Sequence, residues 1–379
     1  MDPVLSWAQS RRDALVAFIR RLVEMESPSD DKAAVDRLGA FLADWLTPAA
    51  AVRLHQAEKY GNHLRVEFRL PGAKKSGQVL VLGHLDTVYP VGTIGRMPFR
   101  VAEGRLWGPG VFDMKAGIAI AVFAAEALRE LDRPARRRLV MQLNSDEEVG
   151  SESSRALTEA EAKKSAAVLV LEPSADLDGK VKTGRKGVGG FTVRVKGKAS
   201  HAGLDFQAGA SATLELARQL LRIAEFTDLE RGITVNPGVV GGGTRVNVVA
   251  EEAWAEVDMR VVRLADAARI EKKFRSLRPV DRRTKLSIEG GLNRPPLERS
   301  PAVVALYRQA REIARELGVE LGETQVGGGS DGNFTAALGV PTLDGLGAVG
   351  EGAHAAHENV ILDRLGDRVA LVARLMESL

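Results

Sequence analysis

Cysteine is absent from the 379 residues, which excludes disulfides and thiolate metal sites and leaves any transition metal to histidine and carboxylate ligands. Six histidines are available for that work. No apolar stretch approaches the length of a membrane span, and the opening MDPVLSWAQSRRDALVAFIRRL interrupts every apolar run with charge, so it lacks the h-region of a signal peptide. The expected compartment is therefore the cytoplasm, with no membrane partner. An excess of one charge is also missing. Basic residues number 53 against 50 acidic, a balance of +3, and apart from Arg136, Arg137 and Arg138 they are dispersed. Without a basic stripe, nucleic acid is not an expected partner. No internal repeat is visible, and the glycine clusters at 241–243 and 327–329 are the only compositional oddities.

What is present is an ordinary globular balance, 45% hydrophobic and 27% charged, on a chain longer than one core usually supports, so two domains are expected. Helical spacing runs from Asp2-Pro3 to about Met25 and again from Asp30 to Trp45. His63 to Leu70 alternates like a half-exposed strand, whereas Gln78 to Gly83 is a continuous apolar run suited to a strand covered on both faces. A small-residue helix over Lys115 to Leu131 and strands over Arg138 to Asn144 and Ala166 to Glu172 continue a layered α/β pattern. From about Val181 the texture changes to alternating strands (Gly190 to Lys198, Trp254 to Val262, Lys285 to Glu289), with helices near Gly209 to Ala224 and Leu264 to Leu277. Helical patterns return at Ser300 to Leu317 and Leu362 to Leu379. The expected organisation is an α/β domain split into residues 1–180 and 294–379 around an inserted α+β unit at 181–293.

Chemistry-bearing residues gather at the ends of these elements. His84 and Asp86 follow the buried strand, and residues two apart on extended chain point the same way, so the carboxylate can orient an imidazole that binds metal. A capped core histidine would read the same. Asp113 closes a glycine-punctuated turn just before a helix, where a carboxylate often serves only as a cap. Glu147 and Glu148 are adjacent carboxylates that invite a cation and a base, although a solvated acidic loop looks similar. Glu172 sits at the carboxyl edge of a strand, where α/β folds put their sites. His354 and His357 share a glycine-bounded loop, and either can be a ligand. His55 and His63 match no motif and read as surface or core histidines.

As an ordered set, GHLDTV (Gly83 to Val88), GPGVFDMKAG (Gly108 to Gly117), SDEEVGS (Ser145 to Ser151), LEPS (Leu171 to Ser174), KASHAG (Lys198 to Gly203) and NRPPL (Asn293 to Leu297) resemble the di-zinc metallopeptidase family. That family includes glutamate carboxypeptidases of the carboxypeptidase G type, aminoacylases, succinyl-diaminopimelate desuccinylase and aminotripeptidases. The resemblance covers nearly the whole chain. It implies a zinc-exopeptidase-like catalytic domain, with a central mixed sheet flanked by helices, and an inserted ferredoxin-like domain through which homodimers form. It also implies two Zn2+ per subunit, with Co2+ or Mn2+ as substitutes. Asp113 would bridge them, His84 and Glu172 completing one site and Glu148 and His354 the other, since the family spacing favours His354 over His357. Glu147 matches the general base, Asp86 supports catalysis behind His84, and the bond Asp113-Met114 matches a cis peptide. His201 matches a histidine that supports the oxyanion in a partner's active site. Arg260 matches the arginine that grips the substrate's free carboxylate, with Asn247, Gly328 and Ser330 as further substrate contacts.

The activity so implied is hydrolysis of the amide bond to a C-terminal amino acid, glutamate or another acidic residue, in a small peptide or acyl-amino acid. Arg185, Lys186 and Arg245 are cations able to meet a second carboxylate. N-acyl-amino-acid deacylation or desuccinylation would use the same residues with a different acyl pocket. A binding protein that has lost catalysis is the alternative from another class, and the complete ligand and base set speaks against it.

Overall fold

The computed structural model describes residues 2–72 and 76–379. It divides into two compact units: Met1–Gly184 with Arg299–Gln325 and Ser330–Leu379, and Arg185–Glu298 with Val326–Gly329. The first is an α/β unit built on a six-stranded mixed sheet. Its strands run, from edge to edge, Ala50–His55, His63–Phe68, Arg138–Asn144, Gln78–His84, Ser165–Val170 and Thr342–Leu343. The first two are antiparallel to their neighbours and the last four run parallel.

The alternation of side chains places both faces of this sheet in apolar surroundings. Along Gln78–His84, Val79 and Val81 join the larger core with helices Ala116–Glu130 and Leu365–Ser378, while Leu80 and Leu82 join a smaller core with Val140, Val168 and Ala162. Period-2 geometry thus explains why an unbroken apolar run is a central strand.

On the helix Leu365–Ser378 of the larger core, the fully buried guanidinium of Arg368 donates to the carbonyls of Gly347 (2.8 Å), Gly179 (3.1 Å) and Gly345. Gly347 N–H in turn donates to the carbonyl of Glu172 at 2.9 Å. A buried cation therefore secures the backbone on which one expected ligand sits.

The second unit is α+β. In chain order its elements are strand Gly187–Lys196, helix Ala212–Ala224, strands Thr234–Gly242 and Glu252–Val261, helix Leu264–Ser276 and strand Lys285–Arg294. The sheet is antiparallel throughout, with the second of these strands at one edge, then the third, the first and the fourth. That βαββαβ order is ferredoxin-like. Phe191 stacks on Phe274 at 3.8 Å between centroids, and Phe226 meets Phe274 edge-on.

One expectation about elements changes, and two strands appear where none was expected. The N-terminal helix is two, Pro3–Ser10 and Arg12–Glu24, because Arg11 leaves helical geometry (φ −98°, ψ 10°). Strand Ala50–His55 carries mostly exposed or half-exposed residues and so shows no apolar alternation. Strand Thr234–Gly242 contains Pro237 and three glycines, tolerable because it is an edge strand.

Candidate metal centre and active site

Three adjacent parallel strands bring expected ligands to one edge of the sheet. His84 ends Gln78–His84, Glu147 and Glu148 occupy the turn Glu147–Val149 after Arg138–Asn144, and Glu172 follows Ser165–Val170. Parallel strands share a carboxyl edge, which is where open α/β sheets carry their sites. Asp113 comes from the turn Val111–Lys115 ahead of helix Ala116–Glu130, and the Asp113-Met114 peptide is cis. A Cβ at Gly117 would meet the carbonyl oxygen of Leu171 at 2.2 Å, so glycine lets this helix start against the segment bearing Glu172. His354 lies in the loop between the short strands Gly350–Glu351 and Asn359–Ile361, with φ at 62°. A left-handed non-glycine residue is uncommon and tends to mark functional loops.

The five side chains form two sets of three donors, His84–Asp113–Glu172 and Asp113–Glu148–His354, each with its donor atoms within 4.8 Å of one another. Nε2 of His84 is 3.2 Å from Oδ1 of Asp113 and 3.5 Å from Oε1 of Glu172. Nε2 of His354 is 3.2 Å from Oε1 of Glu148 and 3.4 Å from Oδ2 of Asp113. Donors about 2.0–2.1 Å from a tetrahedral zinc ion stand about 3.3–3.4 Å apart, so both sets have the spacing of a coordination shell. Asp113 offers one oxygen to each set. His357 belongs to neither.

Electrostatics agree with the donor chemistry. Burial opposes charge on His84, but hydrogen bonds with Asp113, Asp86 and Glu172 outweigh it and raise its pKa well above the ordinary value. Asp113 and Glu148 push His354 up to about 10 against partial burial. Burial would raise Asp113, yet His354 and His84 hold its carboxyl far below the usual range, while burial raises Glu148 against His354. Positive charge is favoured in both sets, and a divalent cation in each meets that demand.

Asp86 does more than face His84. Nδ1 of His84 lies 2.9 Å from the backbone carbonyl of Asp86 and 3.4 Å from its carboxylate. In the neutral ring Nδ1–H donates to that carbonyl and leaves the Nε2 lone pair toward Asp113 and Glu172. The Asp86 carboxylate also accepts the N–H groups of Glu147 (3.2 Å) and Glu148 (3.1 Å) and the hydroxyl of Ser29 (2.7 Å). It secures the acidic turn.

Glu358, the glutamate four residues after His354, contributes in a way the sequence did not assign. Fully buried, it accepts Phe112 N–H (2.8 Å) and Asp113 N–H (2.9 Å) on Oε1 and Gly110 N–H (2.9 Å) on Oε2. Tyr89 donates its hydroxyl to the carbonyl of Ala355 at 3.0 Å, tying down the His354 loop.

Of the remaining expected residues, four belong to the second unit. His201 is exposed, and its Nδ1 accepts the N–H groups of Gly203 and Leu204, both at 3.1 Å. That fixes the neutral tautomer with a proton on Nε2. Arg260 spends its Nε on Asp258 (2.9 and 3.0 Å). Asn247 is exposed, and the carbonyl of Gly328 accepts from Arg185 Nη1 at 3.2 Å. Ser330, in the first unit, departs from expectation. It is fully buried, its hydroxyl donates to Asp344 (2.6 Å) and its N–H to Asn333 (3.0 Å), so neither group is left to meet a substrate.

The family model for Peptidase family M20/M25/M40 matches residues 80–378. Carboxypeptidase G2 of Pseudomonas sp. (strain RS-16) is 28% identical over 381 residues, an alignment covering 98% of this chain and 91% of that protein. The chain also matches fungal probable carboxypeptidases, of whose length it spans about 60%. Among solved structures, a tripeptidase from Staphylococcus aureus has a TM-score of 0.77 at 20% identity, covering 97% of this chain and 98% of that one. The YXEP protein of Bacillus subtilis, a dinuclear metal binding peptidase from the M20 family, has a TM-score of 0.68 at 14% identity, covering 98% of this chain and 100% of that one. At these identities the structural likeness concerns the fold.

Proposed function

Since the chain belongs to peptidase family M20/M25/M40, and is thus a metallocarboxypeptidase or related amidohydrolase, we propose that it removes a C-terminal glutamate or other acidic residue from a small peptide or acyl-amino acid. One observation carries the reading: two three-donor sets share Asp113, and Glu147 lies in the same turn as the ligand Glu148 without belonging to either set. His84, Asp113 and Glu172 would hold one Zn2+, and Asp113, Glu148 and His354 the other. When bound, such a pair lowers the pKa of a water and polarises the scissile carbonyl.

Glu147 takes the proton of the attacking water and passes it to the leaving amine. The Nη groups of Arg260, with Nε committed to Asp258, grip the substrate's carboxylate as a planar fork, and Asn247 and Gly328 supply polar neighbours. In a dimer, His201 would donate its Nε2–H to the developing oxyanion in the partner's active site. Metal content measured by mass spectrometry, beside hydrolysis of a panel of peptidyl- and acyl-amino acids, tests the reading. About two metal ions per chain and fastest release of acidic C-terminal residues are expected. Fastest cleavage of acyl- or succinyl-amino acids would move the assignment to a deacylase or desuccinylase, and a metal-free, inert protein would leave only a binding role.

The working form is proposed to be a cytoplasmic homodimer formed through the second unit. Its edge strand Thr234–Gly242 exposes Val239 and Val240, and helix Ala212–Ala224 exposes Leu214 and Leu221, an apolar surface beside an open strand edge. Sedimentation equilibrium is expected to give twice the chain mass of 40.7 kDa, and Leu221→Lys to shift the protein toward monomer. A wild-type monomer at micromolar concentration would refute this part.

A further inference from the structure

His63 begins the strand His63–Phe68 and is buried beside the end of Arg138–Asn144, from which the acidic turn departs. Its Nδ1 accepts the backbone N–H of Ser145 at 3.2 Å. A backbone N–H can only donate, so this nitrogen holds a lone pair and the ring proton sits on Nε2. Nε2–H then donates to Ser153 Oγ at 3.1 Å, and that hydroxyl donates to Asp146 Oδ2 at 2.7 Å. The same carboxylate oxygen accepts Ser153 N–H at 2.7 Å and Ser154 N–H at 3.3 Å. From the Ser145 N–H onward these bonds form one chain. It starts at Ser145, two residues before Glu147, and returns at Asp146, the residue adjoining Glu147.

Other contacts close the approach from below. Ser145 Oγ lies 2.9 Å from Nδ1 and also donates to the carbonyl of Gly61, where a Cβ would meet Val35 at 2.4 Å. Burial lowers the pKa of His63, against the raising influence of Asp146, in keeping with a ring that stays neutral. His63 touches no residue of either donor set.

We infer that His63, as the neutral Nε2–H tautomer, is a positioning residue that aims the turn carrying Glu147 and Glu148 through Ser145 and Asp146. The inference rests on the proposed role of Glu147, and groups that position catalytic side chains in this indirect way are typically worth about 10- to 100-fold in activity.

The test compares His63→Leu with His63→Asn. The amide oxygen of asparagine falls near the place of Nδ1 and can accept the Ser145 N–H, whereas leucine offers nothing, and both lose the contact with Ser153. His63→Leu is expected to lower kcat about 10- to 100-fold with KM nearly unchanged, and His63→Asn to restore most of that loss although both variants lose thermal stability alike. Equal kcat in the two variants, whether high or low, would overturn the inference, because a merely structural histidine follows stability alone. Nitrogen-15 NMR of the wild-type histidines supplies a readout independent of turnover and of variant folding. A proton found on Nδ1 of His63 overturns the inference as well. Glu147→Gln is the control for the underlying reading: wild-type activity in that variant removes the base assignment while the leucine–asparagine contrast and the tautomer still report on His63.

Discussion

Glu147→Gln is expected to lower kcat by about 10²- to 10⁴-fold, the range for loss of a positioned general base, while the protein keeps its metal and its KM changes little. Glutamine preserves the shape of the side chain and the backbone N–H through which Glu147 is held by Asp86, so the turn has no reason to move. What disappears is the capacity to accept a proton. Because Glu147 is in neither donor set, metal content separates two explanations that activity alone would merge. Lost turnover with full metal identifies a base. Lost turnover together with lost metal would show that Glu147 holds a cation, and the assignment of the base would pass to another residue.

Glu358→Leu should be the most damaging change outside the ligands themselves. The buried carboxylate accepts three backbone N–H groups from the turn that carries Asp113, and burial raises its pKa to about 7 against the opposing influence of Tyr89 and those N–H bonds. A buried unpaired donor costs about 1–3 kcal/mol, so leaving three of them to leucine should cost about 3–9 kcal/mol, measurable by urea unfolding. Since Asp113 supplies an oxygen to both donor sets, metal affinity should also fall about 10- to 100-fold in competition with a chelator. Glu358→Gln should be intermediate, because one end of its amide must present N–H to N–H. Reduced stability with unchanged metal affinity would mean that Glu358 supports the fold without setting the position of Asp113.

The difference between what the sequence disclosed and what required coordinates follows from the range of the interactions. His84, Asp113, Glu147, Glu148 and Glu172 stand in short motifs at strand or helix ends, and strand ends are visible in apolar periodicity over a few residues. The central strand Gln78–His84 was legible for the same reason. Glu358, by contrast, is 245 residues from Asp113 along the chain, and His63 is 82 residues from Ser145. Arg368 reaches the carbonyl of Gly179 across 189 residues. Such partners are joined by topology, and nothing local to Glu358 or His63 distinguishes a buried supporting group from a surface one. Ser330 failed in the opposite direction: a glycine-rich neighbourhood suggested contact with substrate, whereas its hydroxyl is absorbed by Asp344. The edge strands Ala50–His55 and Thr234–Gly242 escaped detection because exposure removes the alternation by which strands are recognised.

The division of the first unit into three stretches of chain also imposes a sequence of events on biosynthesis. Four of the five donors lie between residues 84 and 172, so a ribosome delivers them early, yet His354 emerges only after the whole of the second unit has been translated. Strand Thr342–Leu343, which completes the sheet, and helix Leu365–Ser378, which packs on Ala116–Glu130, arrive equally late. A nascent chain therefore carries a cluster of carboxylates with an incomplete ligand set and an open core from Glu172 until His354 has been made. Under the proposed ligand set, hydrolytic competence waits until His354 has been made, a form of timing written into chain order.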